Sequence, residues 1–181
     1  MATSSPPGVS SPQEGTLQLS KLIKRKLTDR QGDAVGRLSD VIVRLREDGY
    51  PVVTGLVAAI EGRKVFLPAG QVAALDREVL RLGRTRVDLR WFERRKGEVL
   101  LGADILGHEV IDVETAQAVR AADLLLIQRD GEWVVSGVNI RRKKRWKPGS
   151  ADKPESGTEQ GGPEGRTFRD WSMIDPQLGS T

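Results

Sequence analysis

Ala34-Val35, Asp40, Asp48-Gly49 and Val53-Thr54-Gly55 return later in the chain as Ala118-Val119, Asp123, Asp130-Gly131 and Val135-Ser136-Gly137. The offset between the copies falls from 84 residues at the alanines to 83 at the first aspartates and 82 from the Asp-Gly pairs onward. Self-similarity at a nearly fixed offset marks a duplicated structural unit. Two single-residue deletions separate the copies, one near Gly36 and one at or before the hairpin turn. A one-residue slip inside a paired strand turns its side chains to the opposite face, so both deletions must fall at bulges or strand ends.

The residues around the repeat read as strands. Val41–Leu45 and Val52–Ile60 flank Asp48-Gly49, Val52–Ile60 and Lys64–Leu67 flank Glu61-Gly62, and Leu124–Gln128 and Trp133–Ile140 flank Asp130-Gly131. An acidic residue followed by glycine between runs of Val, Ile and Leu favours a tight hairpin. Pro68 stops one strand, and Gly70–Asp76 suits one or two helical turns. The compact stretch runs from about Leu17 to Ile140. Met1–Gly15 is rich in Ser, Pro and Gly and is expected to be disordered, and 147–166 reads as a flexible insertion. The repeat offers a reason for the apolar residues beyond it: Asp170-Trp171-Ser172-Met173-Ile174 takes the place of Pro68-Ala69-Gly70-Gln71-Val72, so the second unit closes only after a long loop. The alternative is that Trp171 opens a separate downstream element. The division expected is a tail at 1–15, a first unit at 16–96, a second at 97–176 and a tail at 177–181.

Bulk composition narrows the classes. The chain has 181 residues, 38% of them apolar, with 20 glycines and 9 prolines. It has no cysteine, which excludes disulfides and cysteine-based zinc sites and fits a cytoplasmic setting. The longest unbroken apolar run, Leu56–Ile60, is far short of a membrane span, and the first residues lack the pattern of a signal peptide. The net charge of +4 traces to one segment: Arg141, Arg142, Lys143, Lys144, Arg145 and Lys147, with Trp146 among them. Without that run the balance is slightly acidic, unlike a protein built around one nucleic-acid face.

Leu27-Thr28-Asp29 and Gly32-Asp33-Ala34-Val35-Gly36-Arg37-Leu38-Ser39-Asp40-Val41, continuing through Val53-Thr54-Gly55-Leu56-Val57 and Val65-Phe66-Leu67-Pro68, resemble the PRC-barrel family, which is shared with the ribosome maturation factor RimM. The family usually carries an aromatic residue after that proline, where this chain has Ala69. More narrowly, Tyr50–Val57, Phe92–Leu101 and Asp170–Pro176 resemble the paired PRC-type region of actinobacterial proteins related to the MgtE magnesium transporter, in which an MgtE-type N-domain and CBS domains follow. The fold implied is mainly β: two small, strongly bent PRC-barrel-like units with short helical turns. The function implied is a regulatory one linked to magnesium transport.

Catalytic constellations are thin. His108, the single histidine, lies in a turn, and a zinc site or a Ser-His-Asp triad needs more converging groups. Asp112 and Glu114 alternate along a strand face and suit at most weak cation binding, so no cofactor is expected, with Mg²⁺ as the one alternative. There is no GxxxxGK[ST] and no GxGxxG between strand and helix. Gly36, Gly55 and Gly137 suit bulges or close approaches. Trp91-Phe92 and Trp133 read as packing residues, and the arginines from Arg77 to Arg95, with Lys96, as a solvated surface. The run Arg141–Lys147 is the sharpest binding candidate, since clustered cations attract phosphate and Trp146 can stack on a base. The same run also suits an edge that ends the last strand and blocks further pairing. These features predict a non-catalytic cytoplasmic docking or regulatory module. Its partner would be a protein or further domains of the same polypeptide, and the alternative is RNA or ribosome association through residues 141–147.

Overall fold

The computed structural model describes residues 15–75, 80–83, 90–141 and 166–176. The tails expected at 1–15 (apart from Gly15) and 177–181 lie outside these residues. So does the insertion expected at 147–166, apart from Arg166. The described residues begin with β1 (Leu17–Gln18), a single helical turn α1 (Leu19–Leu22) and β2 (Lys26–Thr28). Two long strands follow, β3 (Ala34–Arg44) and β4 (Val52–Ile60), then β5 (Arg63–Pro68), a 3-10 turn at Ala69–Gln71, β6 (Val72–Leu75) and β7 (Leu80–Leu82). The same order then recurs: β8 (Glu98–Leu100), a π-helical turn at Leu101–Ile105, β9 (Glu109–Asp112), β10 (Gln117–Arg129), β11 (Glu132–Arg141), β12 (Arg166–Asp170), a 3-10 turn at Trp171–Met173 and β13 (Ile174–Asp175). The fold is mainly β, as expected.

The duplication extends to the register. In the β3–β4 pair the ladder skips Ser39 and Thr54; in the β10–β11 pair it skips Ala122 and Ser136, the matching positions. The β2–β3 pairing skips Val35, whereas β9 and β10 pair without interruption. The extra residue of the first copy near Gly36 is therefore a bulge, which keeps the faces of β3 in phase. The second length difference sits in the turn. Glu132 pairs directly with Arg129 around Asp130-Gly131, while Val52 pairs with Arg44 across the longer loop Leu45–Pro51. The tight hairpin expected at Asp48-Gly49 is thus replaced by a wider connection. Those at Glu61-Gly62 and Asp130-Gly131 do form, with positive φ at both central residues, as a primed turn requires. The helical turns expected over Gly70–Asp76 shrink to the 3-10 turn, and Val72–Leu75 is a strand.

The two units share one sheet. The hydrogen-bonded path runs β13-β9-β10-β11-β4-β3-β2-β7-β6, and its two ends are not joined. The units meet where Val52 of β4 pairs with Val134 of β11, residues at matching positions of the repeat. A pairing of equivalents places a local two-fold axis through that point. The same axis exchanges the first strands. β1 leaves its own unit to pair with β10, Leu17 opposite Leu126, and β8 crosses back to pair with β3, Val99 opposite Val43. One apolar core results, running from Leu17 and Leu22 through Leu38, Leu56 and Leu67 to Leu124, Val138 and Ile174. The symmetry is imperfect: β7 stands between β2 and β6 in the first unit, whereas β13 pairs directly with β9 in the second. Residues Asp170–Ile174 do return to the second unit, and the ring of Trp171, at the position held by Ala69 in the first, is buried in the shared core.

Candidate interaction surfaces

Two buried aspartates hold the exchanged segments. Asp40 accepts hydrogen bonds from the backbone N–H groups of Gly102 (2.7 Å) and Ala103 (3.0 Å), which open the Leu101–Ile105 turn. Asp123, its counterpart, accepts from the N–H of Ser20 (3.0 Å) and from the Ser20 hydroxyl (2.5 Å) at the start of α1. Each aspartate also accepts from the amide that follows it. Each carboxylate thereby satisfies donors of the helical turn contributed by the other unit, as a cap would. Burial pushes the Asp40 carboxyl above its ordinary range, against the backbone donors of Gly102, Val41 and Ala103. The recurrence of both aspartates is plain in the sequence. Their partners, Ser20 and Gly102, leave only a faint trace, since they share an offset of 82 but no residue type.

Asp112 and Glu114, expected to suit a cation, are engaged internally. Asp112 is fully buried and receives the Arg169 guanidinium Nε at 3.0 Å, and Glu114 lies 3.5 Å from the same guanidinium. Burial works to raise the Asp112 carboxyl, but the Arg169 guanidinium and the Thr115 backbone N–H outweigh it and hold it below the usual carboxylate range. Among the described residues no group of three or more His, Cys, Asp or Glu is placed to hold a metal ion. His108 is exposed in its turn; its N–H donates to the Ile105 carbonyl. Tyr50, in the loop before β4, donates its hydroxyl to Asp170 at 2.7 Å and ties the first unit to the returning tail. Two donors from Ser172 and the one from Tyr50 hold the Asp170 carboxyl low despite its burial, and the bond to Asp170 raises the Tyr50 phenol.

Of the predicted basic run, Arg141 is exposed at the end of β11, and Arg142, Lys143, Lys144, Arg145, Trp146 and Lys147 lie outside the described residues. Register adds something the sequence does not show. Arg120 of β10 and Arg166 of β12 stand opposite Arg141 on either side. Arg141 and Arg120 are therefore neighbours across β11 and β10, next to where the run begins, and Arg120 donates its Nε to the Gly107 carbonyl at 2.7 Å. Like charges on neighbouring strands repel one another, which favours an anionic neighbour.

The expected packing role of Trp91-Phe92 is half right. Phe92 packs with Phe66 on a small outer cluster of Ile42, Val57 and Leu100, but Trp91 is 69% exposed. Backbone bonds place the segment: the Phe66 N–H donates to the Arg90 carbonyl (3.1 Å) and the Phe92 N–H to the Lys64 carbonyl (3.1 Å). The Arg63 guanidinium lies 5.3 Å from the Trp91 ring centre, and the Arg95 guanidinium 5.6 Å from that of Phe66. Of the arginine-rich stretch expected to be a solvated surface, Arg94 is exposed and forms a two-bond surface pair with Asp104 at 2.6 and 3.1 Å. Trp133 is half-buried against the shared core. Gly55 and Gly137 are close-approach positions, as expected: a side chain at either would strike the ring of Phe66 or of Phe168.

In comparison with known proteins, no family model and no curated protein matches the chain.

Proposed function

We propose that the chain is a non-catalytic docking or regulatory module of the cytoplasm, of the kind its motifs share with MgtE-related magnesium transport proteins. The interlocked construction supports this reading. Both units share one apolar core, their first strands are exchanged, and the buried aspartates Asp40, Asp112 and Asp123 are each engaged in holding the body together. Polar groups so engaged are structural, and recognition falls to the outer faces, where Trp91, Val113, Phe168 and Met173 are exposed. The test is calorimetry of the full chain against a separately purified MgtE-type N-domain. Association at roughly micromolar Kd or better supports the docking role, and no heat at about 100 μM of each protein overturns it. A Mg²⁺ titration followed by NMR separates the metal: without saturable shifts the docking role stands free of it.

The neighbouring Arg120 and Arg141 favour a second reading, in which RNA binds the end of the second unit through Arg141–Lys147. Binding that weakens steeply with salt and vanishes when residues 141–147 are replaced by alanine would favour it. No RNA binding at low salt would sink it.

A further inference from the structure

The duplication allows each surface of the second unit to be compared with its counterpart in the first. Phe66 on β5 and Phe168 on β12 are such counterparts: Phe66 stands opposite Val57, and Phe168 opposite Asn139, at matching places on β4 and β11. Each ring lies over the equivalent glycine, Gly55 or Gly137. In the first unit the outer edge of β5 is covered. The segment Arg90–Phe92 runs along it, bonding the Phe66 N–H and the Lys64 carbonyl, while Phe92 packs on the same apolar cluster as Phe66 and the Arg95 guanidinium lies over the Phe66 ring. In the second unit no described residue pairs with the outer edge of β12, and Phe168 is 48% exposed. The register gives the Phe168 N–H and the Arg166 carbonyl the positions of the two bonding groups on β5. An edge strand that no described residue covers, with an aromatic ring at its centre, is a template for another strand.

We propose that the β12 edge is a docking site for an extended peptide segment of another polypeptide, bearing adjacent aromatic residues followed by arginine. This rests on the docking reading above and assigns its surface. The covered edge of the first unit specifies the ligand: an antiparallel strand making two backbone bonds, with one aromatic ring on the face that Phe168 shares and a guanidinium over the Phe168 ring. The second unit's face is more polar than the first, since Gln18 and Asn139 replace Leu100 and Val57. It can therefore stand in water until the ligand arrives.

The probe is a synthetic peptide with the sequence of Arg90–Lys96, titrated into the isotopically labelled full chain by NMR. Saturable shifts at the amides of Thr167, Phe168 and Arg169 are expected. Phe168→Ala should weaken binding by about tenfold, the size of one aromatic contact. Because that ring is half exposed, the variant keeps its β11 pairing, which the unchanged amide spectrum of Val138–Ile140 verifies. In the free chain the Phe168 amide should exchange freely while the Phe66 amide is protected. A protected Phe168 amide, or no shift on β12 at about 1 mM peptide, overturns the proposal. Shifts confined to the β5 edge or to Arg120 and Arg141 overturn this site but leave a docking module, whereas silence in the calorimetry above removes the docking reading itself.

Discussion

Asp40 and Asp123 are each bonded to two polar groups of the opposite unit, and both are almost inaccessible to water. Removing either carboxylate strands backbone donors in an apolar setting, which costs about 1–3 kcal/mol per group. Asp123→Ala is therefore expected to destabilise by roughly 2–4 kcal/mol, read from urea denaturation midpoints, with Asp123→Asn closer to the parent because its oxygen still accepts. The two lowered carboxyls, Asp112 and Asp170, predict the acid behaviour. Each binds its proton less readily folded than unfolded, so its stabilisation is complete above the ordinary value of 3.8 and is lost as pH falls through the lower folded value. Asp40 acts in the opposite sense, since its raised carboxyl gives up stability as pH rises from 3.8 through the folded value. Arg169→Met should flatten the acid loss and lower stability at neutral pH by about 3 kcal/mol, since it leaves Asp112 buried without its cation. Asp40→Asn should remove the opposing trend. Much of this was illegible in the sequence. The recurrence of the aspartates was visible, but which donors they meet depends on a strand exchange that no local pattern encodes, and Arg169 reaches Asp112 across 57 residues of chain.

The strands were the most legible elements, because β-branched runs bounded by Asp-Gly or Glu-Gly fix the type of element and roughly its turn-side end, whereas β3 and β10 begin well before the expected Val41 and Leu124, at Ala34 and Gln117. The bulges were legible as arithmetic: the drift in offset required irregularities, and they fall at Val35 and in the Leu45–Pro51 loop. The width of that loop was not legible, since Asp48-Gly49 has the composition of a tight turn. Its neighbours Tyr50 and Pro51 are instead drawn to the other unit, by the bond to Asp170 and by the Val135 N–H donating to the Pro51 carbonyl at 3.0 Å. Tyr50→Phe should cost roughly 1.5 kcal/mol below pH 10. It should also abolish the loss of stability that the parent shows as pH rises past 10.0 through the raised phenol value. Gly137 carries the close approach of β12 to β11. A methyl group there meets the Phe168 ring and the Arg169 carbonyl, so Gly137→Ala should cost about 1–3 kcal/mol and raise amide exchange along 166–170 first.

At the scale of the molecule, duplication was readable and exchange was not. Two units at 16–96 and 97–176 suggest two bodies, yet each supplies a strand and a helical turn to the other, and the apolar core is continuous. A fragment of residues 15–96 keeps β1 and α1 without the strand β10 they pack on, and β3 without β8. It is expected to give the collapsed amide dispersion of an unfolded chain, and the full chain to unfold in a single cooperative transition by calorimetry. Two resolved transitions, or a folded fragment, would mean that the crossed strands contribute little.

The crossing of β1 also sets an order in time. Leu17 and Gln18 are made early, but Leu126 and Leu125, which they pair with, follow more than a hundred residues later. At roughly 5–20 residues per second, a growing chain holds that first strand unpartnered for about 5–20 s. Most of the core cannot form until β10 has left the ribosome, and the β12 and β13 pairings wait longer still. The fold is therefore expected to assemble late in synthesis and from distant contacts, which makes refolding slow for its size. During that interval the unpaired β1 is a segment that chaperones could hold.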